Sequence, residues 1–130
     1  MTNREIYTSA LCILAESTSE GDNEDYEERA PYLIAAFLTE ASDADTALRK
    51  ALDEPIAAHF NAVFASLDNE FPLLDRFSTA AAMYVAAMLT IDDFPDVSDR
   101  IYDKYSDVMS SICSSVPAVC ERIQNRYFYD

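Results

Sequence analysis

Between Phe71 and Ile112 the chain carries an Ala-rich apolar run (Phe77 to Leu89), an acidic elbow (Ile91-Asp92-Asp93-Phe94-Pro95-Asp96) and a second, tyrosine-bearing amphipathic run. That order predicts a helical hairpin. Its first arm is crowded with small residues, Ala80, Ala81, Ala82, Ala86 and Ala87, so another backbone can approach it closely and the arm belongs at the centre of a bundle. Phe77, Ala81, Tyr84, Val85, Met88 and Leu89 form its buried stripe, and Ile101, Tyr105, Val108, Met109 and Ile112 form that of the second arm. No catalytic group lies in the hairpin.

Upstream, Thr2-Asn3-Arg4-Glu5 has capping-box form and opens a helix with Ile6, Ala10, Ile13 and Leu14 at helical spacing. Ser17 to Gly21, ending in the chain's one glycine, closes it with a turn. A second helix follows Asp22 or Asn23. It places Tyr26, Ala30, Leu33, Ile34, Phe37 and Leu38 on one stripe, with acids in its first turns to match its dipole. Pro31 falls inside this pattern and predicts a kinked but continuous helix. From Ser42 onward two short helices are expected, Ala47 to Leu52, capped by Asp43-Ala44-Asp45-Thr46, and Ile56 to Phe64, followed by an extended connector from Ser66 to Leu73, where Pro72 disfavours helix at Phe71. A last element after Val116-Pro117 would carry Val119, Ile123 and the aromatic run Tyr127-Phe128-Tyr129. The expected architecture is all-α, a single-domain bundle over residues 1–130 of about five to six helices around the Ala-rich hairpin.

A chain of 130 residues suits one core and can bury roughly 65–70% of its unfolded surface. The apolar run Ala80 to Leu89 is about half of the ~20 residues a bilayer span needs, and Met1 to Glu5 lead into no signal-peptide core, so a soluble, non-secreted protein is expected. Cys12, Cys113 and Cys120 lie on apolar helix faces without a Cys-x-x-Cys pair, which predicts buried thiols in a reducing compartment.

The net charge is −15, from 24 acidic residues against 9 basic ones. Such a surface repels phosphate. It argues against sequence-specific nucleic-acid binding and suits a basic partner, or a conduit past which DNA slides without sticking. The inventory for chemistry is sparse. One histidine (His59), one glycine and no tryptophan leave no phosphate-cradling loop, histidine zinc motif, dinucleotide fingerprint or nucleophile elbow, so neither a catalytic site nor a cofactor is expected. Asp92, Asp93, Asp96, Asp99 and Asp103 cluster at the elbow but lack the register and glycine of a Ca²⁺ loop. Asp96, Asp99 and Asp103, at i, i+3 and i+7, read as the wet face of a helix whose N-terminus Asp96 or Ser98 would serve, and no metal site is expected. The spare aromatics remain. Tyr7, Tyr32, Tyr102, Tyr127 and Tyr129 fall off the main stripes and are the candidate partner-interface residues, because tyrosine buries area at little entropic cost.

Several segments together carry a likeness. Asp25-Tyr26-Glu27-Glu28-Arg29-Ala30-Pro31-Tyr32 opens helix two, and Phe71-Pro72-Leu73 leads into the Ala-rich helix. Asp92-Asp93 marks the elbow, and Ile101-Tyr102-Asp103-Lys104-Tyr105 lies in the next helix. This order resembles the small helical virion proteins of tailed phages and prophages, the head–tail connector or adaptor type that docks beneath the portal. The resemblance implies a structural, non-enzymatic subunit of a homo-oligomeric ring that passes double-stranded DNA. Its partners would be the portal or neighbouring connector subunits, and it would be found in the virion or the host cytoplasm. A different reading of the same acidity is a small DNA mimic that occupies the basic cleft of a host nucleic-acid-binding protein. Carboxylates at phosphate-like intervals would mark a mimic, and an exposed aromatic patch would mark a connector.

Overall fold

The computed structural model describes residues 1–17, 24–56 and 62–115. Among these the chain is all-α: helix α1 spans Asn3–Ser17, α2 Glu24–Ala51, α3 Ser78–Leu89 and α4 Pro95–Ser114, with a 3-10 turn at Asp75–Phe77 leading into α3. The hairpin expected from the sequence is formed by α3 and α4, and α3 lies against α1 and α2 as well. Its small residues explain the central position. Ala80, Ala81, Ala82, Val85, Ala86, Ala87 and Leu89 are all buried, so α3 has almost no wet face and three helices close on it.

The start of α1 follows its capping signal, because the Glu5 amide donates to the Thr2 hydroxyl at 3.3 Å. The next orphan amides are satisfied from a distance. Asn3 and Arg4 donate to the Asn69 and Leu67 carbonyls, both at 2.9 Å, and the Phe71 amide donates to the Met1 carbonyl at 2.8 Å. The connector Ser66 to Leu73 is therefore pinned across the head of α1. Leu67, Phe71 and Leu73 turn into the core.

Helix α2 differs from expectation in length. It runs unbroken through Pro31, as anticipated, but also through Ser42-Asp43-Ala44-Asp45, where a break and a new cap were expected. The stripe Ala30, Ile34, Phe37, Leu38, Ala41, Asp45 and Leu48 keeps helical spacing throughout and is buried along its whole length. Asp45 caps nothing. It is 1% exposed, and its carboxylate accepts the Arg49 Nε at 2.9 Å and the Leu74 amide at 2.9 Å. The helix ends in a Schellman arrangement in which the Glu54 amide donates to the Arg49 carbonyl at 2.9 Å and the Asp53 amide to the Lys50 carbonyl at 3.2 Å. Asp53 takes the left-handed conformation there (φ 57°), a position glycine usually fills.

Four α-helices thus stand among the described residues where five to six were expected for the whole chain. Ala47 to Leu52 belongs to the end of α2, and neither 53–56 nor 62–64 is helical, so the expected helix Ile56 to Phe64 is not formed at its two ends. Its centre, including His59, the Gly21 turn and the element after Val116 lie outside the described residues. At the start of α4, Pro95 occupies the first turn and no side chain caps the helix. Ser98 turns inward, 2% exposed, and its hydroxyl donates to the Ala87 carbonyl at 2.7 Å. A buried tie across the hairpin replaces the expected cap. No helix among the described residues is long and apolar enough to cross a membrane.

Candidate docking surface

The exposed aromatic residues do not fall into one patch. Pro31 is buried on α2, which leaves Tyr32, the next residue, on the outer side of the helix at 56% exposure. The Ala65 amide donates to the Pro31 carbonyl at 3.1 Å and Ala65 is itself buried, so the segment before the connector is held against α2. This fixes Phe64 opposite Tyr32, with ring centroids 5.2 Å apart at 75°, an edge-to-face pair. Beside them Val63 is 80% exposed. Glu27, Glu28 and Pro31 complete an open groove of about 500 Å³. Glu27 is bridged to Arg4 at 3.3 Å, whereas Glu28 has no ion-pair partner among the described residues.

A second aromatic group runs from the core to the surface. Phe37, Tyr84 and Tyr105 meet at centroid distances of 5.4 to 6.2 Å, and Tyr102, partly exposed on α4, stacks 5.3 Å from Tyr105. The Tyr105 hydroxyl donates to Glu40 at 3.0 Å. Burial, then the Glu40 charge and that hydrogen bond, push the Tyr105 phenol far above its ordinary range, and burial raises Tyr84 in the same direction. Both phenols are held as neutral packing groups.

Of the interface candidates from the sequence, Tyr32 and Tyr102 are exposed but belong to these two separate groups. Tyr7 is a correction. It is 4% exposed and part of the core, because α1 buries Ile6, Tyr7, Ala10 and Leu14 together and so presents a wider apolar face than the spacing suggested. Tyr127 and Tyr129 lie outside the described residues. Phe64 and Val63 were missed because they were assigned to a helix. Their signal in the sequence was a pair of apolar residues just ahead of the connector.

The cysteine expectation is also corrected, since Cys12 and Cys113 are exposed free thiols. Cys12 lines a cleft of about 260 Å³ between α1 and the start of α3, with Ile6, Ile13, Ser78 and Ala82. Cys120 lies outside the described residues. Asp96, Asp99 and Asp103 are exposed, the wet face read from the sequence, Asp92 and Asp93 are exposed in the elbow before α4, and no group of three metal-ligating side chains occurs among the described residues. The fold and surface define the class of an all-α protein with an acidic exterior and an exposed aromatic groove. Compared with known protein families, curated proteins and solved structures, the chain matches none at a significant level.

Proposed function

We propose that this protein is a non-enzymatic docking subunit of the phage or prophage head–tail connector type, working by protein–protein contact and ring assembly. The observation that carries the reading is the Tyr32–Phe64 pair, two rings 56% and 49% exposed and held by the backbone tie at Pro31 on an otherwise acidic body. A preordered aromatic edge costs little further entropy on binding and is a common anchor of protein interfaces. The charge of −15 supports the same role, since a ring wall of this sign lets DNA pass without arrest. The resemblance of the helix-two opening, the Pro-Leu lead into the Ala-rich helix and the Asp-Asp elbow to connector proteins points the same way. The test is light scattering of the reduced protein over a wide concentration range, followed by co-sedimentation with portal rings. A ring-sized particle or stoichiometric portal binding supports the reading. A monomer that ignores portal rings rejects it.

A second reading, a DNA mimic, is favoured by one feature of α4. Asp99, Asp103 and Asp107 are exposed and four residues apart, about 6 Å per step along the axis, close to the phosphate spacing of a nucleic-acid strand. Arg100 and Lys104 interleave with that row and reduce its field. Competition with duplex DNA for a basic DNA-binding protein separates the two readings, because a connector subunit would leave that equilibrium unmoved.

A further inference from the structure

We infer that the groove at Pro31, Tyr32 and Phe64 receives the segment 116–130 of a second copy of this chain, making a head-to-tail contact; the inference rests on the connector reading and names its subunit interface. The first support is where the two surfaces lie on the bundle. Helix α2 runs antiparallel to α3: the Arg29 guanidinium donates to the Met88 carbonyl at 3.2 Å near the end of α3, and Asp45 accepts the Leu74 amide ahead of its start. The groove, built from residues 27–32 with Phe64, therefore sits at the Met88 end. Helix α4 also runs antiparallel to α3. Ser98 meets Ala87 at that same end, and Arg76 donates to the Ser115 hydroxyl at 3.2 Å at the other. Across the 20 residues of α4, about 30 Å of helix, residue 115 is carried to the end of the bundle opposite the groove. A contact joining these two ends in different copies is heterologous, and heterologous contacts close into rings when the rotation allows.

The second support is chemical. Residues 116–130, which lie outside the described residues, hold Arg122, Arg126 and Tyr127-Phe128-Tyr129 in their sequence. The groove offers two exposed ring surfaces and the Glu28 carboxylate, which has no ion-pair partner among the described residues, the complement of an arginine beside aromatic residues. The third is charge. Most of this surface would repel a second copy of a chain at −15, but the segment's two arginines balance Glu121 and Asp130, so docking it adds no like charge to the groove.

The test uses the full-length reduced protein in sedimentation velocity, with Glu28→Arg, Arg126→Glu, the two together, and Tyr32→Ala. All changed side chains within the described residues are exposed, and circular dichroism checks that each variant folds as the parent does. Each single change should weaken self-association by about 10-fold or more, and the double charge exchange should bring it back to within about 3-fold of the parent. Oligomers that persist unchanged in all the single variants overturn the inference and leave the connector reading in place. Failure of the double variant to recover overturns the Glu28–Arg126 pairing at its centre. A parent protein that stays monomeric at every concentration also overturns the inference, and binding to portal rings then decides the connector reading separately.

Discussion

The Ser98 hydroxyl donates a 2.7 Å hydrogen bond to the Ala87 carbonyl, joining the two arms of the central hairpin inside the core. The same carbonyl accepts the Thr90 amide at 3.3 Å, where α3 ends. One oxygen thus closes the first arm and receives the second, a buried tie across an elbow whose aspartates are exposed.

Ser98→Ala removes this tie and should cost about 1–1.5 kcal/mol of stability, read as a lower urea midpoint at unchanged slope. Asp96→Ala, at an exposed position that caps nothing, should shift the midpoint by no more than about 0.5 kcal/mol.

Asp45→Ala breaks a pair whose side chains are 2% and 16% exposed: it strands the Leu74 amide and takes the carboxylate from the Arg49 guanidinium, which keeps only the Pro55 and Pro72 carbonyls. A loss of about 3–5 kcal/mol is expected in chemical denaturation. The pair Asp25–Arg29, 3.5 Å apart with Asp25 73% exposed, serves as the control: Asp25→Ala should cost less than about 1 kcal/mol.

Asp53 holds φ 57° at the end of α2. Asp53→Gly should raise stability by roughly 0.5 kcal/mol, because glycine adopts this conformation without the steric cost of a Cβ, offset in part by its freer unfolded chain. Asp53→Val should destabilise, and a pair of thermal melts decides the order.

Tyr105 and Tyr84 should ionise after the ordinary tyrosines in a spectrophotometric titration at 295 nm. Burial and then the Glu40 charge, with a hydrogen bond to Glu40 as well for Tyr105, raise both above the usual value of about 10. A folded-state pKa raised above the unfolded one gives stability that is complete below the unfolded value and declines as pH rises beyond it. Stability should therefore fall from about pH 10 upward, and Tyr105→Phe should flatten that decline.

Tyr7 and Tyr32 should separate core from surface. Tyr7→Ala empties a site 4% exposed and should cost about 3 kcal/mol or more, whereas Tyr32→Ala loses one edge-to-face contact and should cost at most about 1–1.5 kcal/mol. Equal losses in denaturant melts would contradict the assignment of Tyr32 to a surface role.

Several elements were legible because their causes are local. The Thr2 cap, the alanines of α3 and the stripe Ile101, Tyr105, Ile112 each follow from residue type at helical spacing, and all appear where the spacing placed them. The candidate groove was only half legible. Tyr32 follows from its place off the α2 stripe, but Phe64 joins it through the Ala65–Pro31 bond, a contact between residues 34 positions apart that no local pattern encodes.

By itself, then, the sequence determined an all-α chain, an Ala-rich helix at the centre of a hairpin and a strongly acidic exterior, since periodicity, side-chain size and charge act within a turn or two of helix. Tertiary structure alone decided that Asp45 is a buried anchor and not a cap, that Ser98 ties the hairpin, that Tyr7 goes inside while Cys12 and Cys113 stay out, and that α2 continues past Ser42. Each of these depends on what another segment supplies: the Leu74 amide, the Ala87 carbonyl, or the apolar walls around α1. A polar residue's role in a fold is set by the partner that reaches it, and that partner lies far away along the chain.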